Sequence, residues 1–342
     1  MKAPATATAT FTATIVVLAC APPPAFAWGS FGHRVVAETA ALLVEDDQPA
    51  GLGNLLARHR FELGVYAFRP DSTFRHHDGK SGALEAPLHF LSTDALTMPM
   101  SELDVAFADV DKKLAALEER GPIGRVPWRI DQLHGMIAAD WLKVPAVFGT
   151  YQRGETADEP QKSIFRALFH MGVLAHYTGD IAVPHHASKD SNSFHKNQGG
   201  LHFYFEGDCV EVFEPDLANN VLKLARKQKK AWTVAHAATT SSPVRIALSV
   251  LQSSVAALPA VEKADKESAL LAASVGQSFA KRKPAAQGCK ALRQHVEERL
   301  ALGAVITAAL WQRAVPSGVD WQRVRTLQFN DIHETEPFIA FP

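Results

Sequence analysis

Leu174-Ala175-His176-Tyr177-Thr178-Gly179-Asp180-Ile181, followed at once by Pro184-His185-His186, is an apolar helical pattern interrupted on one edge by an imidazole and a carboxylate. Residues four apart share one helix face, so His176 and Asp180 project together. A second stretch, Gly199-Gly200-Leu201-His202-Phe203-Tyr204-Phe205-Glu206, repeats the four-residue step between His202 and Glu206, with aromatics filling the positions between them. Adjacent His185 and His186 cannot point the same way, so one of the two joins the set. Imidazole plus carboxylate suits Zn²⁺, and a catalytic zinc takes three protein ligands and keeps one position open. His176, Asp180, His186, His202 and Glu206 are too many for one such ion. The pattern predicts at least two metals.

Around this core the chain reads as mostly helix. Apolar residues recur at helical spacing over Val35 to Val44, Val105 to Leu117, Ile130 to Trp141, Ile164 to His176, Leu217 to Ala235, Ser242 to Ala256, Glu267 to Ala280 and Leu292 to Trp311. Asp104 and Ser242 are expected N-caps, and Pro184 should end the metal-bearing helix just after Asp180. Gly, Pro and His concentrate in Gly64 to His89 and Ile181 to Gly200, which read as long loops of the kind that carry sites. Leu201 to Phe205 is too short to carry a sheet. The fold class expected is all-α, in a single domain.

Residues 1–27 read as a secretory signal: Lys2 is the only charge, Ile15 to Ala19 form a short apolar core, and Ala25-Phe26-Ala27 is an A-x-A cleavage site. Cleavage there starts the mature chain at Trp28, secreted or periplasmic. Val17-Leu18-Ala19-Cys20 offers the competing reading of a lipoprotein signal. The apolar run is too short to span a bilayer, and nothing later approaches about 20 consecutive apolar residues, so no transmembrane segment is expected after signal removal. All 35 Lys and Arg except Lys2 belong to the mature part, against 36 Asp and Glu, so no global field draws nucleic acid or anionic lipid. The basic runs Arg226-Lys227-Gln228-Lys229-Lys230 and Lys281-Arg282-Lys283 read first as solvated surface. Nothing calls for a stable protein partner. Cys209 and Cys289 remain after the signal, an even pair consistent with one disulfide; zinc ligation is the lesser alternative, since neither has a second cysteine nearby.

The sequence His176-x-x-x-Asp180 with His186 six further on, then Gly-Leu-His202-x-x-Phe-Glu206, resembles the bacterial zinc-dependent phospholipases C. Trp28-Gly29-Ser30-Phe31-Gly32-His33 resembles the start of the mature fungal and plant zinc-dependent single-strand nucleases. These families share one helical fold and a trinuclear zinc site. The resemblance implies that the α-amine and carbonyl of Trp28, with His33, hold one zinc, and that Asp180 bridges to a second held by Asp71, His89 and His176. A third, more exposed ion falls to His186, His202 and Glu206. His76 and His77 compete with His89, because Ser72-Thr73-Phe74-Arg75-His76-His77 echoes a phospholipase stretch. The implied domain spans 28–315, with 316–342 as a C-terminal extension.

The substrate class divides on individual positions. Glu206 as last ligand and the short span from His186 to His202 are phospholipase-like. The five-residue step from Trp28 to His33 is nuclease-like, as are Phe90 at the base-stacking position and Asp94 at that of a catalytic acid. Gly207 replaces the Asn that those nucleases use to hold a base. The expectation is a phosphodiester hydrolase with Asp71 and Asp94 in catalysis and Phe90 against substrate. Its substrate would be phospholipid, with single-stranded nucleic acid as the alternative and a non-catalytic exported zinc-binding protein as the third reading.

Overall fold

The computed structural model describes residues 28–118, 121–150, 158–238, 240–326 and 338–342, and the export signal expected at residues 1–27 lies outside them. The described chain is all-α. Helix α1 (Gly29–Asp47) is followed by the short α2 (Leu52–Arg58), α3 (Arg60–Ala67) and α4 (Gly79–Glu85). Then come α5 (Phe107–Glu118), α6 (Val126–Thr150), α7 (Asp158–Ala182), a single turn α8 (Leu201–Phe203), α9 (Cys209–His236) and α10 (Pro243–Ser268). After a small hairpin, α11 (Ala285–Gly288), α12 (Arg293–Ala314) and α13 (Trp321–Thr326) complete the order.

Helices α7 and α12 are the inner pair. From Ile164 onward α7 is buried on nearly all sides, and α12 is buried continuously from Leu300 to Ala308, as expected of helices enclosed by others. Helix α7 packs on α6, α12, α3 and α1, while α12 packs on α9, α1 and α7. The inner pair crosses closely because both helices carry glycine there: a Cβ on Gly303 would stand 3.2 Å from Gly179 Cα and 3.3 Å from Thr178 O. Trp311 Nε1 donates to Met171 O at 3.0 Å, and the Thr178 and Thr307 hydroxyls meet at 2.6 Å. Helix α7 stops where its sequence requires. Val183 is extended (ψ 125°) before Pro184, which opens a 3₁₀ turn Pro184–Ala187.

Ser242 caps α10 as expected, accepting from Arg245 N at 3.0 Å. Asp104 does not cap α5, which begins at Phe107; its carboxylate accepts from Ser242 Oγ instead. The expected helix over Glu267 to Ala280 is also wrong. Helix α10 ends at Ser268, and β1 (Leu270–Ala272) pairs antiparallel with β2 (Lys281–Arg282) around a turn with Gly276 at φ 59°. Its apolar residues mimicked a helical period but face outward: Leu271, Val275 and Phe279 are all exposed. Gly64 to His89 is likewise not a long loop. It holds the end of α3, a π turn Pro70–Phe74, α4 and a 3₁₀ turn Ala86–His89, pinned by buried Phe74 and Leu88.

Helix α10 is long and apolar enough to cross a membrane by length and composition alone. In this fold it is a core helix, packed on α6, α7 and the Pro184–Ala187 turn, with Ser254 Oγ donating to Ile181 O at 2.6 Å. Described residues beyond 315 lie on the same core: Trp321 packs on Trp141, and Arg129 Nη2 and Gln132 Nε2 donate to Ile339 O and Ala340 O.

Cys209 and Cys289 form a disulfide across 80 residues, tying the start of α9 to the turn before α12. Closing so long a loop restricts the unfolded chain, so replacing both cysteines by serine should lower stability by about 2–5 kcal/mol. Guanidinium denaturation of the two proteins measures this, and an unchanged midpoint would show that the bridge carries no stability.

Candidate metal centre

Three groups of buried ligands converge on the end of α7: His33 with His176 and Asp180; Asp71 with His89 and His176; and His186 with His202 and Glu206. Within each group the ligand atoms lie within 4.8 Å of one another. His33 comes from α1, Asp71 from the π turn Pro70–Phe74, His89 from the 3₁₀ turn after α4, and His186 from the turn behind Pro184. His202 and Glu206 sit four apart where α8 runs into a second π turn, Tyr204–Asp208. Both carboxylates outside α7 therefore lie on π turns, a distortion common at functional sites.

Asp180 joins the groups. Its Oδ1 lies 3.7 Å from His33 Nε2 and 3.8 Å from His186 Nδ1, while Oδ2 lies 2.9 Å from His89 Nδ1 and 3.3 Å from His176 Nε2. One oxygen thus faces the first group and the other the second, as bridging requires. Burial alone would raise the Asp180 carboxyl. The imidazoles of His176 and His186 outweigh it and hold the carboxyl well below the usual range.

The donor set has the lone-pair directions of a metal site. His176 Nδ1 donates to Ala67 O at 2.8 Å, which leaves Nε2 as an acceptor, 2.9 Å from His89 Nδ1. His186 Nδ1 donates to His89 O at 2.7 Å, leaving its Nε2 facing Glu206 Oε1 at 3.7 Å. Imidazoles oriented through their far nitrogen by a carbonyl are typical of metal ligands. His202 Nε2 and Glu206 Oε2 lie 2.9 Å apart yet share no hydrogen bond, so both point past each other toward a common point. Burial pushes the Glu206 carboxyl well above the usual range and the His202 imidazole down to about 4. Such a group lacks positive charge, and a divalent cation would restore carboxylate and bare imidazole together. The residues fit metal.

Trp28 belongs to this centre. It is fully buried, its indole Nε1 donates to Gly179 O at 3.0 Å, its ring lies 5.6 Å from Phe205, and its main-chain nitrogen faces Glu206. His89, not His76 or His77, occupies the second group: both alternatives are exposed, and His77 stacks on Phe338. His185 is buried beside the centre, stacked on His202, outside every ligand group.

A cleft of about 280 Å³ opens onto His89, His186 and His202, lined also by Arg75, Phe90, Ser92, Lys189 and Asn192. Phe90 is one of the residues lining this cleft. Asp94 is not: its two oxygens accept from Ser188 Oγ at 2.8 Å and Lys189 N at 2.7 Å, so it fastens the loop behind His186. Sequence reading missed Arg75, whose Nε lies 3.2 Å from Asp71 Oδ1. It also missed Glu85, buried with Oε1 3.5 Å from His89 Nε2, contacted by the Tyr177 hydroxyl and 3.7 Å from Arg129. Burial would raise Glu85, but the hydrogen bond from His89 and the charge of Arg129 bring it below the usual range. The four-residue step from Glu85 to His89 was the available signal. No protein-family model, curated protein or solved structure matches this chain.

Two substitutions test the centre. Asp180→Asn should cost two metal equivalents by elemental analysis while circular dichroism still shows a helical fold; loss of one or none would contradict the bridging role. Glu85→Gln should weaken metal retention about 10–100-fold in chelator competition, as loss of a carboxylate behind a ligand histidine does; unchanged retention would make Glu85 a packing residue only.

Proposed function

We propose that this chain is an exported phosphodiester hydrolase that uses three zinc ions, and that it cleaves phospholipid head groups in the manner of a phospholipase C. The observation that carries the reading is Asp180 joining ligand groups that together hold eight inward-facing side chains, with the main-chain nitrogen of Trp28 beside them. The resemblance in the two histidine motifs and at Trp28 to His33 supports the family, and Glu206 with the short His186 to His202 span supports the lipid substrate.

Zinc at these ligands would supply a Lewis acid for the phosphoryl oxygens and a bound water acidic enough to attack near neutral pH. The chain's own residues do the rest. Asp180 fixes the spacing of the ligand groups, and the Ala67 and His89 carbonyls orient His176 and His186. Arg75 and Lys189 give the cleft two cations that can hold non-bridging phosphoryl oxygens, Arg75 in planar fork geometry. Asp71, paired at Oδ1 with Arg75, would be the carboxylate to take up the proton of the attacking water. Phe90 covers one wall and keeps that side of the cleft apolar.

A nuclease reading is favoured by one observation, the exposure of Phe90 to a cleft that also carries Arg75 and Lys189, since aromatic stacking with nearby cations suits a single strand. Parallel assays on phosphatidylcholine, p-nitrophenyl phosphorylcholine and single-stranded DNA, with and without chelator, separate the readings. The expected result is chelator-sensitive release from the two choline esters. Turnover of DNA alone would establish the nuclease, and no turnover by a zinc-loaded preparation would leave a zinc-binding protein. A mature chain extended to Met-Trp28 should lose most activity, because the extension removes the free amine; full activity would refute that ligand.

A further inference from the structure

The hairpin between α10 and α11 has no role in the metal centre, yet it is built against the strand of chain that leads to it. Ser274 N and Ala280 N donate to Asn197 O and Gly199 O, and Gly199 N donates to Ser274 Oγ. Arg282 reaches through to Gln198 O and Gly199 O and pairs with Asp265 at 2.8 Å. The Phe279 ring lies on Gly200, two residues before His202, and 6.4 Å from Phe194. The clamped segment continues back to Asn192 and Lys189, which line the cleft. The hairpin is therefore a fixed part of the cleft's rim.

Its outward face is unusual in two respects. Val275 at the tip is 83% exposed, Leu271 58% and Phe279 50%, on a turn held rigid by Ser278 N donating to Val275 O and Val275 N donating to Ser278 Oγ. From Ala269 to Lys290 the chain carries Lys281, Arg282, Lys283 and Lys290 and no acidic residue, in a protein whose net charge is −1. Lys281 and Lys290 are exposed, as are Lys189 and Lys196 on the clamped segment. Three neighbouring carboxylates are turned to internal work, Asp190 accepting from Phe194 N and His195 N, Glu262 from Ser193 Oγ, and Asp265 from Arg282, while exposed Glu267 pairs with Lys263 at 3.9 Å and Asp208 lies within the field of Arg282.

We infer that the 270–282 hairpin is an interfacial anchor that seats the cleft's rim on an anionic lipid surface. Rigidly presented aliphatic side chains on a hairpin that also carries exposed lysine match the boundary between acyl chains and anionic head groups. The two most exposed of these side chains, Leu271 and Val275, are aliphatic and offer a base no ring to stack on, while the Phe279 ring is partly engaged on Gly200. The inference rests on the phospholipid reading above and adds to it how the cleft would reach packed lipid.

The test uses the full mature chain, zinc-loaded, floated with vesicles of phosphatidylcholine mixed with phosphatidylglycerol, beside the double variant Leu271→Glu, Val275→Glu. Both positions are exposed, so the fold should tolerate the change. The parent protein should float, and the variant's bound fraction should fall by about tenfold or more. Its hydrolysis of soluble p-nitrophenyl phosphorylcholine should stay unchanged. A parent that stays in solution, or a variant that floats equally well, overturns the anchor. So does a parent that instead dimerises through this face, or loses binding to single-stranded DNA when the face is altered. Flotation that depends on Leu271 and Val275 without hydrolysis of any phosphoester upholds the anchor and removes the proposed activity alone.

Discussion

Asp180 is fully buried with four imidazoles, those of His33, His89, His176 and His186, between 2.9 and 3.8 Å from its oxygens. Water cannot solvate such a group, and neutral imidazoles bearing lone pairs toward one another repel. The arrangement is stable only if positive charge sits among the ligands, as protons or as metal. Hydrogen bonds from His176 to Ala67 O and from His186 to His89 O commit one nitrogen of each ring to the protein and leave the other as an acceptor. A metal ion could take up those acceptors together.

The scaffold exists to hold this crowd in place. Gly179 and Gly303 let α7 and α12 approach closely, the Trp28 indole anchors the residue before α1 to Gly179 O, and the disulfide secures α9 beside Glu206. Glu85, Arg129 and Tyr177 form a second buried layer behind His89, and Arg129 extends it to the last residues through Ile339 O. The centre thus draws on the chain from Trp28 to its final segment, so metal occupancy and global stability should be linked.

Legibility from sequence followed locality. His176 with Asp180, and His202 with Glu206, were readable because a four-residue step has a direct geometric meaning on a helix. His33, Asp71 and His89 required the resemblance, since nothing local shows that three separate turns meet α7. Asp94 also rested on the resemblance, at the position of a nuclease catalytic acid, and in the structure Ser188 Oγ and Lys189 N claim both its oxygens. Glu267 to Ala280 failed because a rigid hairpin displaying Leu271, Val275 and Phe279 to solvent imitates a helical period. Apolar spacing reports a buried face only when there is a neighbour to bury it.

Crystals of the mature protein, grown without added metal, measured for anomalous scattering above and below the zinc edge, address the centre most directly. Three zinc peaks should appear, one within each ligand group, with Asp180 contacting two of them. A well-ordered map with no anomalous peak among these residues, and with only water or direct hydrogen-bond contacts between the imidazoles and Asp180, would contradict the account.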